Sequence, residues 1–191
     1  MDAFLAKVTE NVIVVLDEAY TEFTHPSERV NSFALLEKYP NLIVSRSLSK
    51  AYGLAGLRIG YAVSNPEIAD LLNRVRQPFN CNSLALTSAI AVMNDDAFVE
   101  KVAENNRQEM KRYEAFCHQY SLDFIPSKGN FITIDFKQPA APIYDALLRE
   151  GVIVRPIAGY GMPNHLRISI GLPQENDKFF TALIKVLNLG K

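Results

Sequence analysis

The sequence predicts an α/β chain: part of a mainly parallel sheet, followed by a small α+β domain. Three observations carry this reading. Residues 11–16 (N-V-I-V-V-L), 41–45 (N-L-I-V-S) and 57–63 (L-R-I-G-Y-A-V) are short apolar runs separated by helix-like or loop-like stretches. Runs that are apolar throughout suit strands covered on both faces, as in parallel sheets. From residue 65 the apolar period becomes helical, and beyond residue 122 short strand-like runs alternate with helices.

The elements follow in chain order. The first run ends at the acidic pair Asp17-Glu18. An amphipathic stretch from Phe33 to Lys38 is broken at Tyr39-Pro40, and the second run follows. Asn65-Pro66-Glu67 is a helix opening, with Asn as the cap, Pro in the first turn and an acid behind it. Ile68, Leu71, Leu72 and Val75 then recur at helical spacing and are the expected buried face. Residues 83–93 are apolar and helix-prone. Asp95 or Asp96 can cap a long helix to about His118, with Phe98, Val99, Val102, Met110, Tyr113 and Phe116 inward. Strands are expected at 123–126, 130–136, 152–155 and 165–170. Helices are expected at 141–150, ended by Gly151, and at about 174–189. The domains read as 1–80, a helical connector 81–118, and 119–191.

Composition narrows the class of function. The chain has 191 residues, with Lys plus Arg 20 against Asp plus Glu 21, a net charge of -1. That balance provides no bulk basic footprint for nucleic acid and no polybasic membrane tail. No apolar run approaches the roughly 20 residues of a spanning helix, and no secretory signal is visible at the start. Two cysteines without a C-x-x-C pair argue against a disulfide scaffold or a thiolate metal site, and the three histidines lack metal-ligand spacing. A reduced, cytoplasmic protein is the expectation.

Three polar clusters sit where strands should end, the place where open α/β sheets bind ligands. They are residues 17–20 (D-E-A-Y), 45–50 (S-R-S-L-S-K) and 51–60 (A-Y-G-L-A-G-L-R-I-G). Together they hold what a phosphorylated, nitrogen-containing aromatic cofactor requires. Lys50 can form an imine with an aldehyde. Asp17, as a buried carboxylate, can keep a ring nitrogen protonated. Tyr20 can hydrogen-bond a ring hydroxyl, and Ser47, Ser49 and Arg58 can hold a phosphate. Each has a blander reading: Lys50 alone is a solvated loop lysine, Asp17 a helix cap, Ser47 a turn cap. The glycines at 53, 56 and 60 suit close backbone packing better than a P-loop, because the lysine precedes them.

The run V-V-L-D-E-A-Y followed by S-L-S-K-A-Y-G-L-A-G-L-R-I-G-Y resembles the fold-type I, pyridoxal-phosphate-dependent aminotransferases, nearest to their histidinol-phosphate branch. The likeness continues through S-K-G-N-F-I-T-I and H-L-R-I-S-I-G. It implies that Lys50 is the Schiff-base lysine and proton-moving base. It assigns Asp17 to the pyridinium nitrogen, Tyr20 to the cofactor 3-hydroxyl, and Ser47, Ser49 and Arg58 to the phosphate of pyridoxal 5'-phosphate. Arg167 matches the arginine aimed at a substrate carboxylate or phosphate, with Asn130, Arg155 and Tyr160 as pocket neighbours. The implied reaction is L-histidinol phosphate with 2-oxoglutarate giving imidazole-acetol phosphate and L-glutamate, in histidine biosynthesis, by a homodimer. An aromatic aminotransferase or threonine-phosphate decarboxylase of the same branch is the alternative.

The sequence departs from the family in length. Full-length members are about twice as long. Their first half brings a Gly-Ser phosphate loop, an aromatic that stacks on the pyridine ring, and an Asn-Asn-Pro-Thr-Gly turn, none of which occurs here. The chain therefore reads as an incomplete half, either a fragment or a subunit that assembles with a missing N-terminal half, and is expected to bind the cofactor weakly by itself.

Overall fold

A computed structural model describes residues 1–190. It divides into two compact units, Met1–Glu100 and Lys101–Lys191. The first unit opens with a short helix, α1 (Asp2–Leu5), and strand β1 (Val14–Asp17). Helix α2 (Ser32–Lys38) leads to β2 (Leu42–Ser47) and β3 (Gly60–Val63). Then come α3 (Pro66–Val75), α4 (Ser83–Val92) and the start of α5 (Asp96–Gln119), which crosses the division.

The sheet order is β1-β2-β3. β1 and β2 are parallel, with Val14 beside Leu42 and Asp17 beside Ser45. β3 differs from the expected parallel run: it pairs antiparallel to β2, with Arg46 opposite Tyr61 and Ser47 opposite Gly60. Only the loop of residues 48–59 connects them, with no crossover helix, and such a connection returns the chain antiparallel. Gly60 is required there. A Cβ at that position would sit 2.5 Å from the carbonyl oxygen of Arg46.

The expectation of strands covered on both faces fails for β1. Leu5, Leu42 and Val44 form a buried cluster with Val14, Leu16, Leu35, Leu36 and Tyr39 on one face. On the other, Val15 is 59% exposed and Asp17 lies open. That face is covered at β2, where Ile43 beside Val15 is buried, but lies open along β1.

The helices are where the spacing predicts, but their packing differs. Asn65 caps α3, accepting the Ile68 N–H at 2.8 Å, and Asp95 accepts the Phe98 N–H at 3.0 Å. Yet Leu71, Leu72 and Val75 are exposed, as is Phe98. α4 is apolar all round, a composition found in buried helices. Only Ala85 is buried, in a cluster with Leu48 and Ile59, while Leu84 and Ile90 face outward.

The second unit buries its apolar pattern more fully. Strands β4 (Asp123–Ile125), β5 (Phe131–Asp135), β6 (Arg155–Pro156) and β7 (His165–Ser169) form an antiparallel sheet of order β4-β5-β7-β6. Helices α6 (Ala140–Arg149) and α7 (Pro173–Leu187) join the rest of α5 against one face. Met110, Tyr113 and Phe116 of α5 pack with Ile132, Ile134, Leu166, Ile168, Leu147 and Leu183. Each such side chain removed from water contributes about 1.5–3 kcal/mol. Gly151, at φ +72°, ends α6 in the left-handed conformation expected of a terminating glycine.

Candidate active site

Most of the candidate residues gather at the carboxyl ends of β1 and β2. Asp17 is the last residue of β1 and lies beside Ser45. Partners in register, and residues two apart on one strand, share a face. Asp17, Ser45 and Ser47 therefore lie on one side of the sheet. The Asp17 carboxylate accepts the Ala19 N–H at 3.0 Å, which holds the turn that carries Tyr20. The Lys50 ammonium stands over the Tyr20 ring, 5.6 Å from its centre.

Ser47, Ser49 and Arg58 converge. Ser47 Oγ accepts the Ser49 N–H at 3.1 Å, and Arg58 Nη1 reaches Ser49 Oγ at 3.4 Å and the Ala55 carbonyl at 2.9 Å. Two features of the loop bring this about. Gly53, at φ +72°, turns the chain so that its N–H donates to the Lys50 carbonyl at 3.0 Å. The Leu48 and Ile59 backbones then pair at 3.1 Å, and Arg58 adopts a left-handed φ of 54° directly before Ile59. The loop from Lys50 to Arg58 thus folds back on the end of β2.

One expectation is corrected. Asp17 is exposed, not buried, because β1 is the edge strand and the face it shares with Val15 is open along β1. The chemistry of the donor set still fits a phosphorylated pyridine aldehyde. Two hydroxyls and a guanidinium suit a phosphate, an amine suits an aldehyde, and a carboxylate on the same sheet face suits a ring nitrogen.

Arg167 belongs to the second unit, on β7. Its guanidinium lies over the Phe131 ring, 5.0 Å from the centre. Arg155, directly opposite on β6, shares its face. Asn130 closes the sheet end, its carbonyl accepting the Ile170 N–H at 2.9 Å. Tyr160 is exposed in a short turn.

Two residues that the sequence reading left without a role are prominent. Glu18 is buried, and Arg46 Nε and Nη2 both donate to its Oε2, at 3.0 and 2.8 Å. The period-2 alternation of S-R-S was the available signal. It sets Arg46 on the opposite face from Ser45 and Ser47.

Comparison with known proteins identifies the family. The family model for aminotransferase class I and II matches residues 2–183. The chain belongs to that family. It is 86% identical over 187 residues to histidinol-phosphate aminotransferase 2 of Haemophilus influenzae, covering 98% of this chain and 51% of the relative. It is 78% identical to histidinol-phosphate aminotransferase 1 of Mannheimia succiniciproducens, covering 99% of this chain and 52% of the relative. Among solved structures, histidinol-phosphate aminotransferase of Sinorhizobium meliloti, in complex with pyridoxal-5'-phosphate, superposes with a TM-score of 0.87 at 31% identity. That match covers 97% of this chain and 52% of the other. The enzyme of Clostridium acetobutylicum superposes with a TM-score of 0.89 at 26% identity, over 98% and 58% of the two chains. The chain spans about half the length of the curated relatives it matches.

Proposed function

We propose that this chain supplies the lysine-bearing half of a pyridoxal-phosphate-dependent histidinol-phosphate aminotransferase. The reaction is amino transfer from L-histidinol phosphate to 2-oxoglutarate, giving imidazole-acetol phosphate and L-glutamate. The observation that carries the reading is the gathering of Lys50, Tyr20, Ser47, Ser49 and Arg58 beside Asp17 at the ends of two parallel strands. Identities of 78–86% to relatives named for this activity support the substrate assignment. At that level they favour it over threonine-phosphate decarboxylase, which the solved structures do not separate from it, since one of each name matches at 26% identity.

In this reading, Ser47, Ser49 and Arg58 hold the cofactor phosphate, Asp17 the ring nitrogen and Tyr20 the ring hydroxyl. Bound pyridoxal phosphate supplies an aldehyde that captures the amino group and a ring that withdraws electrons from the substrate Cα. Lys50 carries the cofactor and moves the proton at the substrate Cα. Arg167, with Arg155 beside it, binds the anionic group of a substrate through its planar fork. Residues 1–80 act as the cofactor-binding portion, 81–118 as a connector and 119–191 as the small domain. The protein works in the cytoplasm, as a homodimer or assembled with a missing N-terminal half. The exposed apolar side chains of α3 and α4 support an assembly that covers them. No described helix is long and apolar enough to cross a membrane.

The test is reconstitution. The chain alone should show no turnover with L-histidinol phosphate and 2-oxoglutarate. Adding the part of the Haemophilus influenzae relative that lies outside the match should restore it, and Lys50→Ala should abolish it. Full turnover by the isolated chain would refute the incomplete-half reading, and unchanged turnover in Lys50→Ala would remove Lys50 from its role.

A further inference from the structure

Asp17 and Ser47 sit on adjacent strands, and among the described residues no side-chain hydrogen bond on their own face of the sheet joins one to the other. The tie is on the opposite face. Glu18 directly follows Asp17, and Arg46 directly precedes Ser47. The Glu18 N–H continues the parallel ladder to the Ser45 carbonyl at 2.9 Å. Its carboxylate, with 6% of the side chain exposed, takes two donors from Arg46 and a third from Ser32 Oγ at 3.1 Å. The Arg46 guanidinium also covers the Phe33 ring at 5.2 Å, so the first turn of α2 closes over the pair.

Two strand ends joined this way cannot slide or splay without parting buried Glu18 from half-buried Arg46, which costs more than parting a surface pair. β1 is an edge strand of four residues, so few ladder bonds oppose fraying at its carboxyl end, while the end of β2 is also held by β3 from Val44 to Ser47. We infer that the Glu18–Arg46 pair is a positioning device, fixing Asp17 on β1 against Ser47 and the Lys50 loop on β2. This rests on the proposed cofactor role of those residues. Arg58 and Ser49 belong to the same loop, so the spacing set by the pair governs the distance from the ring-nitrogen acid to the whole phosphate-binding group.

The test asks how selectively pyridoxal phosphate finds Lys50 in this chain. A lysine amine condenses with the aldehyde, losing water to form a C=N bond. Cyanoborohydride, which spares the free aldehyde, adds hydride to the carbon of the protonated imine and leaves a stable secondary amine, which peptide mass spectrometry quantifies at each lysine. Trapping accumulates, so weak binding suffices. In the unaltered chain, Lys50 should be labelled in preference to exposed Lys7 and Lys38. Glu18→Gln, and Arg46→Lys, which keeps the charge but loses the fork, should lower that preference about tenfold, the scale of a small misplacement of reacting groups. Ser32→Ala should lower it less. Leu35→Ala, which weakens packing on the same face without touching the pair, should lower the thermal midpoint and leave the preference intact.

A preference retained in Glu18→Gln and Arg46→Lys overturns the positioning role alone. So does an equal loss in Leu35→Ala, which would make the pair merely structural. No preference in the unaltered chain overturns the cofactor reading and the positioning role with it.

Discussion

Arg155 and Arg167 lie directly opposite each other across β6 and β7, on the same face of the second unit's sheet. Like charges in that relationship destabilise a sheet by up to about 1 kcal/mol. The arrangement is explained if an anion completes it. Inorganic phosphate should therefore raise the thermal midpoint of the chain, and Arg167→Gln should remove the effect. Without phosphate, Arg155→Gln should raise the midpoint slightly by relieving the repulsion. A midpoint insensitive to phosphate in the unaltered chain would end this account of the pair.

The limits of sequence reading here are physical, and particular residues show them. The polar clusters carrying Asp17 and Ser47 were legible because apolar runs stop at them, although β1 extends to Asp17 rather than Leu16 and β2 to Ser47 rather than Ser45. The cap Asn65 was legible, and Asp95 was one of two candidates with Asp96, because capping is local chemistry. Burial was not legible at Leu71, Val75, Phe98 or Asp17, because it depends on what covers a face, and the matched relatives are about twice as long as this chain. The direction of β3 escaped because an apolar run reads the same whichever way it pairs. Arg46 escaped because its role lies with Glu18, on a strand far away in sequence.

Glu22 gives a pH signature. It is 6% exposed, and its Oε2 is buried with no hydrogen-bond partner among the described residues. Burial raises its pKa above the usual 4.5, and Glu18 adds to the rise, while Arg46 and Arg29 oppose it. A carboxyl whose folded pKa is raised binds its proton more tightly when folded. Its favourable contribution is complete below the unfolded pKa and is lost as pH rises through the folded value. Glu22→Gln should therefore raise the thermal midpoint at pH 7 and have a smaller effect at pH 4. Equal effects at both pH values would show that the carboxylate is satisfied.

The two cysteines should differ in reactivity. Cys117 is fully buried in the second unit, and burial pushes its thiol up to about 12. Cys81 is half-buried beside α4. The thiolate is the reactive form, so iodoacetamide at pH 8 should label Cys81 and spare Cys117 until the chain is unfolded. Rapid labelling of both in the folded chain would show that the second unit opens readily.

Asn176 is the polar centre of that unit's core. It is 2% exposed and uses both ends of its amide. Its oxygen accepts the Gly171 N–H at 3.0 Å and the Tyr113 hydroxyl at 3.1 Å. Its nitrogen donates to Glu109 Oε2 at 2.7 Å and the Gly171 carbonyl at 3.1 Å. One side chain thus ties α5 and α7 to the turn after β7. Asn176→Ala would leave the Tyr113 hydroxyl and the Gly171 N–H without these partners and remove a donor from buried Glu109. Unmet buried groups cost about 1–3 kcal/mol each before relaxation, so a total loss of about 2–5 kcal/mol is expected. Asn176→Asp should be worse than a neutral polar replacement, because it sets a second carboxylate against Glu109. Urea unfolding followed by the tyrosine signal would measure both. A loss under about 1 kcal/mol for Asn176→Ala would mean that water readily replaces the amide and that the network adds little to the hydrophobic core around it.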